Sequence, residues 1–323
     1  MDIHSEIYNL KRLLSLQEIV ETLDLAALPT ARIVYPGKTI SPRRVGILCG
    51  SFNPLTLAHT ELAERAQRTF PLDTVIFTLA KVTVDKEQIT GLSLEDRLLL
   101  LALYAQRQGQ VAVALVNRGL YFEQAQAFRA LFGEQTELSF LIGMDKLLQI
   151  FDPRYYQDRD AALHELFALA SLIVANRGDM DETSFSHLLD RPENHPFHSH
   201  VQFFTLPSVV TDLSATAIRR ALAAGQNIGT QVPPETTAFV AETHVFSPLL
   251  QIGTEKVDGY ATRVALLAAL STVGSWAEQE VDFRHLMSLA LAPNETGRTL
   301  RRSAEEAAFV AQVSSFLKGE RHS

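Results

Sequence analysis

The chain has 323 residues, 46% of them hydrophobic, with a mean hydropathy near zero, which is enough to bury the core of one large α/β domain plus an appendage. A net charge of −8 runs against nucleic acid or an anionic membrane as partner, because both are met by basic surfaces, so any polyanion must enter a local basic pocket. The single cysteine, Cys49, excludes an internal disulfide framework and a cysteine-only zinc site, and Met1 to Leu13 lacks a leader pattern, so a cytoplasmic protein is expected.

In chain order, residues 5–27 carry apolar positions at helical spacing (Ile7, Leu10, Leu13, Leu14, Ile19, Val20, Leu23). They precede Pro29 and the turn Tyr35-Pro36-Gly37, and 1–42 reads as an N-terminal helical extension. From Arg43 the pattern alternates. Strands are expected at 44–49, 74–79, 111–116, 137–142, 171–175 and 201–205, and helices at 58–69, 93–106, 121–132, 161–169 and 214–224. That rhythm implies an α/β, Rossmann-like, mainly parallel sheet with helices on both faces and ligands at the carboxyl ends of the strands, spanning residues 43–246. The polar, His-rich stretch 178–200 breaks the rhythm and reads as a solvated excursion. His195, His198 and His200 have no frame there that would fix a metal. After Phe246, residues 257–272, 278–291 and 300–318 show helical spacing with no further strand, which makes 247–323 a C-terminal helical unit joined near Ser247-Pro248.

Two segments carry chemistry. The run Gly50-Ser51-Phe52-Asn53-Pro54-Leu55-Thr56-Leu57-Ala58-His59 lies between a buried strand and a helix, so its last residue falls in the helix's first turn. Backbone N–H groups and the positive end of a helix dipole favour a phosphate there, and histidine adds a donor. The second, Asp212-Leu213-Ser214-Ala215-Thr216-Ala217-Ile218-Arg219-Arg220, starts another helix, with Ser214 or Asp212 as N-cap and Arg219 one turn on. Alone it reads as a capped surface helix. With the first it forms two helix starts that hold one polyphosphate from two sides.

Gly50-x-Phe52-x-Pro54-x-Thr56-x-x-His59 resembles the His/Thr-x-x-His signature of a nucleotidyltransferase superfamily, and Leu213-Ser214-Ala215-Thr216-Ala217-Ile218-Arg219 resembles its Ile-Ser-x-Thr-x-x-Arg signature. Within it, Cys49-Gly-Ser-Phe-Asn-Pro-Leu-Thr, Phe140-Leu-Ile-Gly-Met-Asp145 and the stretch from Arg219 to Pro233 are most similar to nicotinamide/nicotinate mononucleotide adenylyltransferases. The resemblance covers about residues 43–246. It implies that Gly50, Ser51 and Phe52 meet the substrates through the main chain and that His59, Ser214, Thr216 and Arg219 surround the ATP triphosphate. Thr56, His59 and Arg219 are then the catalytic set, and Gly143 and Asp145 meet ribose. A lysine, Lys81 or Lys86 with Lys86 preferred, approaches the mononucleotide phosphate, and Arg97 is a further candidate. Thr56 and Ala58 stand where many bacterial members have histidine and glycine. The sole tryptophan, Trp276, lies far from the place where members stack the pyridine ring, and Tyr121 or Phe122 stands near that place instead.

The expected reaction moves AMP from ATP to the mononucleotide phosphate, giving NAD or its acid form and pyrophosphate. That phosphate is already anionic, so no activated nucleophile is needed, and fixed donors aimed at the transferring group suffice. Mg2+ is expected on the substrate phosphates, with no metal site made by the protein. The expected partners are ATP and a pyridine mononucleotide, with no nucleic acid or membrane, and a homo-oligomer is left open. Gly-x-Gly-x-x-Gly and Gly-Lys-Ser/Thr are both missing, which removes dinucleotide oxidoreductases and P-loop proteins. The alternatives are a phosphopantetheine or choline-type phosphate as acceptor, or a catalytically silent nucleotide-binding scaffold.

Overall fold

Short runs of Val, Ile, Leu, Phe and Ala, buried on both faces, build the centre of the protein, whose computed structural model describes residues 2–39, 41–82, 91–271 and 282–304. The strands are β1 (Ala31–Tyr35), β2 (Arg44–Cys49), β3 (Thr74–Ala80), β4 (Val111–Val116), β5 (Glu137–Gly143), β6 (Ser171–Ala175) and β7 (Val201–Phe204). They form one sheet in the order β1-β4-β3-β2-β5-β6-β7, parallel throughout except β1, which runs antiparallel to β4. Strand order reverses at β2 and β5, so the crevice outside their carboxyl ends is the place where such a sheet binds ligands.

Helices α1 (Ile3–Ile7), α2 (Leu10–Thr22), α3 (Leu57–Thr69) and α4 (Leu94–Gln108) cover one face, where Leu48, Phe77, Leu99 and Leu115 pack. On the other face α5 (Tyr121–Phe132), α6 (Met144–Ile150), α7 (Arg159–Leu169) and α8 (Glu182–Leu189) pack with Ile47, Phe128, Phe140 and Val174. The chain continues through α9 (Ser208–Thr211), α10 (Ala215–Ala223), α11 (Pro234–Thr243), a hairpin of β8 (Leu250–Ile252) and β9 (Glu255–Val257), α12 (Gly259–Ser271), α13 (Phe283–Ala290) and α14 (Glu295–Ala304).

Three expectations need correction. The stretch before residue 43 also holds β1, whose five residues add an edge to the sheet with Ala31 opposite Val116. The stretch 178–200 is not a solvated loop. It folds as α8 and a 3-10 turn, His195–His200, which bury Phe185, Leu188, Leu189 and Phe197, with Phe197 stacked on Phe167. Beyond residue 246 there is a strand pair after all, turned at Gly253 with φ +58°. Of the helix expected at 300–318, only the first residues are described, and they belong to α14.

The two terminal units are pinned to α4 by charge. Arg263 of α12 and Asp96 of α4 are both 0% exposed. The guanidinium donates to the carboxylate from Nη2 at 2.9 Å and from Nε at 3.1 Å, and from Nη2 also to the Ile7 carbonyl at 2.9 Å. Burial opposes its charge, but Asp96 more than offsets this and holds it above the usual arginine range. The rings of Tyr8, Phe239 and Phe283 surround it at 5.4 to 5.9 Å. Replacing Asp96 with Asn strands this cation without a counter-ion, and urea unfolding should register a loss of about 3–5 kcal/mol. A loss under about 1 kcal/mol would show the pair to be dispensable.

Candidate active site

The strand β2 ends where the Gly50 N–H donates to the Thr78 carbonyl at 3.2 Å. Phe52 then takes φ +41°, and its ring folds back beneath Gly50, where a Cβ would lie 3.0 Å from the ring. A side chain at 50 would press on the buried Phe52 ring, which glycine leaves undisturbed. Phe52 packs on Phe77 at 5.3 Å and presents its edge to His59 at 5.0 Å. After the cis Asn53–Pro54 peptide, Thr56 caps α3.

His59 is locked from one side. Its Nδ1 accepts from the Thr56 N–H at 3.1 Å and lies 2.8 Å from the Thr56 hydroxyl, in the position that Glu or Gln takes in a capping box. An acceptor Nδ1 puts the ring proton on Nε2, leaving a neutral outward donor. Burial, and then the charge of Arg177, push the imidazole down to about 4. Thr56 is 1% exposed, so its hydroxyl serves His59. The first N–H of α3, on Leu57, is also spoken for, since it donates to the Gln231 carbonyl at 3.0 Å.

The second helix start meets the first directly. Ser214 caps α10 by accepting from the Ala217 N–H at 3.1 Å. From the next turn Arg219 donates through Nη1 to the Asn53 carbonyl at 2.7 Å and through Nη2 to the Thr216 hydroxyl at 3.1 Å. Burial and the neighbouring Arg220 lower its pKa. Arg177, just beyond β6, donates to the Leu213 carbonyl at 3.0 Å and ties α10 to the end of the sheet. Gly143 closes β5 beside Arg177, and the exposed Asp145 carboxylate curls back towards it. His59, Thr216, Arg219 and Arg177 therefore make a cradle of hydroxyl, imidazole and guanidinium groups above the switch point.

Beside the cradle, on the other flank of the Gly50-Ser51 turn, opens a cleft of about 370 Å³. Tyr121, Tyr155 and Tyr156 give it aromatic walls, Arg97 and Lys146 give it positive charge, and among the described residues its lining holds no carboxylate. Arg97 is 6% exposed and donates to the Ser51 carbonyl at 3.2 Å. The Lys146 ammonium donates to Gln149 Oε1 at 2.6 Å. Cys49 lines the cleft as a thiol bonded to Gln124, with burial pushing its pKa far up.

The structure brings Gly50, Ser51, Phe52, Thr56, His59, Ser214, Thr216, Arg219, Gly143 and Asp145 to one end of the sheet. Tyr121 lines the cleft, whereas Phe122 packs against the core on the α5 face. Lys86 and Trp276 lie outside the described residues. Lys81 is committed elsewhere, donating to the Leu23 carbonyl at 2.8 Å. In the same stretch Asn117 donates to the Asp24 and Leu28 carbonyls, and Arg118 to those of Leu25 and Ala27. Arg177, Lys146, Tyr155 and Tyr156 were missed by sequence reasoning. Arg177 was detectable, since it follows the carboxyl end of a parallel strand, and the others became visible only through packing.

The family profile described as cytidylyltransferase-like matches residues 47–221, more than half of the chain. A "probable nicotinate-nucleotide adenylyltransferase" of Pelobacter propionicus is 26% identical over 219 residues, covering 63% of this chain and 98% of that protein. A protein of the same description from Trichlorobacter lovleyi is 29% identical over 232 residues, covering 64% and 100%. Among solved structures, the Plasmodium falciparum nicotinic acid mononucleotide adenylyltransferase complexed with NaAD is similar with a TM-score of 0.49 at 15% identity, covering 63% of this chain and 97% of that one.

A folded pKa near 4 against an unfolded value of 6.5 has a definite sign. Between those values the unfolded chain binds a proton that folded His59 refuses, so stability falls as pH drops through that window. Histidine NMR of the ligand-free protein should show His59 titrating near 4 with the proton on Nε2; a midpoint near 6.5 would contradict its burial beside Arg177, and a proton on Nδ1 would contradict the Thr56 lock.

Proposed function

Since this chain belongs to the cytidylyltransferase-like family and is a nucleotidyltransferase, we propose that it transfers the adenylyl group of ATP to the phosphate of a pyridine mononucleotide. The observation that carries this reading is the Arg219 guanidinium on the Asn53 carbonyl, which joins the two helix starts into one polyphosphate cradle next to a separate aromatic, cationic cleft. The triphosphate occupies the cradle. The mononucleotide occupies the cleft, where its ring lies among Tyr121, Tyr155 and Tyr156 and its negative groups face Arg97 and Lys146. The two cations, Arg97 and Lys146, favour nicotinate mononucleotide, which carries a carboxylate besides its phosphate, over the amide. The names of the curated relatives point the same way.

In the reaction, an anionic oxygen of the mononucleotide phosphate attacks the α-phosphorus of ATP in line. The bond from that phosphorus to the bridging oxygen breaks, and pyrophosphate leaves with the bonding pair. No proton moves, so the protein's task is placement and charge stabilisation. His59 donates from Nε2 to the phosphate chain, Arg219 and Arg177 neutralise charge growing on the leaving group, and Thr56 acts through His59 by fixing its tautomer. Ser214 caps the helix that aims Arg219 and Thr216. The cradle's hydroxyl, imidazole and guanidinium groups suit phosphate oxygens rather than a cation, so Mg2+ arrives with ATP as part of the substrate and supplies further charge neutralisation.

The test is to incubate the full chain with Mg2+, ATP and, separately, nicotinate mononucleotide, nicotinamide mononucleotide, phosphopantetheine and choline phosphate, and to measure pyrophosphate and the adenylylated product. Highest kcat/KM with the acid mononucleotide is expected, whereas turnover of only another acceptor, or of none, would overturn the reading. His59→Ala should lower kcat about 10²- to 10³-fold with little change in the mononucleotide KM. Arg219→Ala should lower kcat/KM for ATP by about 10²-fold, and unaltered ATP kinetics would remove it from the cradle.

A further inference from the structure

Residues 91–93, which lead into α4, are gripped from two directions. From the site, Asn53 Oδ1 accepts from the Leu92 N–H at 3.1 Å, and Arg97 Nε donates to the Ser93 carbonyl at 3.3 Å while its Nη1 holds Ser51. From the C-terminal unit, Tyr260 Oη accepts from the Ser93 N–H at 2.7 Å and donates to Asp96 Oδ2 at 2.9 Å, beside the Arg263 pair. Phe246 closes the same corner, packed so tightly on Gly91 that a Cβ there would lie 2.3 Å from its ring. Ser93 therefore has its N–H held by α12 and its carbonyl held by the arginine that supports the Gly50-Ser51 turn. Tyr260 and Arg263 lie beyond the family-matched residues 47–221.

We propose that Tyr260 and Arg263 are positioning residues for the reaction, acting through Ser93, Asp96 and Arg97 on the Ser51 carbonyl at the floor of the cleft. The C-terminal unit thereby sets the geometry of the acceptor subsite, while the triphosphate cradle, which shares Asn53 with this segment, is held mainly by Arg219 and Arg177 from α10 and the end of β6. The acceptor assignment rests on the function proposed above, whereas the mechanical connection from α12 to residues 50–53 does not.

Tyr260→Phe keeps the ring and removes the oxygen that serves both Ser93 and Asp96. Arg263→Lys keeps a cation opposite Asp96 but not the two-pronged contact. In the full chain each should raise the mononucleotide KM about fivefold or more and leave the ATP KM within about twofold. Each should also speed amide hydrogen exchange in residues 50–56, far away in sequence. A purely structural role would lower the melting temperature and leave both KM values and that local exchange unchanged, and this result would overturn the proposal. If the wild-type chain turns over no mononucleotide, the reading of the cleft fails, and the connection is judged on exchange alone: unchanged protection at 50–56 in both variants sinks it. If one variant fails to fold, the other decides.

Discussion

The Arg219 guanidinium on the Asn53 carbonyl is the contact on which the site depends. Asn53 and Arg219 are 166 residues apart in sequence, and the sheet alone brings only their neighbourhoods together. A charge-assisted hydrogen bond from the half-buried Arg219 to the carbonyl of the buried Asn53 contributes about 1.5–3 kcal/mol, enough to fix the relative pose of α3 and α10. Once that pose is fixed, His59, Thr216 and Arg219 converge without further machinery. The stretch after α10 reinforces it, with the Gln231 carbonyl taking the Leu57 N–H and the Thr236 hydroxyl donating to the Leu55 carbonyl.

The electrostatic design of the site follows from what it leaves uncharged. His59 is kept neutral by burial and Arg177, so the positive potential of the cradle comes from guanidinium groups whose charge does not depend on pH. A neutral imidazole with a fixed tautomer offers one directed donor, and directed donors that need no rearrangement are the ones that stabilise a transferring phosphoryl group. The cleft is the counterpart, with aromatic walls of Tyr121, Tyr155 and Tyr156 and the two cations Arg97 and Lys146.

The central sheet was legible because strands buried on both faces read as unbroken apolar runs, and the six parallel strands fall where β-branched and aliphatic residues cluster. The placement of Thr56, His59, Ser214 and Arg219 was legible because each lies within one turn of its own helix start, and local spacing encodes local geometry. The rest was hidden for a different reason. The strands of the β8–β9 hairpin, three residues each, are too short for periodicity to show, and β1, an edge strand buried fully only at Ala31, is defined by its pairing with β4. Arg97 and Asp96 sit side by side on an amphipathic helix and look like surface charge, yet both are buried because their partners, Ser51 and Arg263, come from other parts of the chain. Lys81 is the converse, a lysine whose position after β3 suits a phosphate but whose ammonium is consumed by carbonyls of the N-terminal extension.

That use of Lys81, together with Asn117 and Arg118, means that the loops leaving β3 and β4 are both stapled to one stretch, Glu21 to Thr30. Val82, Gly119 and Leu120, which with Ala80 at the end of β3 form one lip of the cleft, belong to those loops. One lip of the cleft is thus hemmed by a stretch that precedes the family-matched residues 47–221, so a change confined to Glu21–Thr30 reaches that lip without altering any residue that lines it.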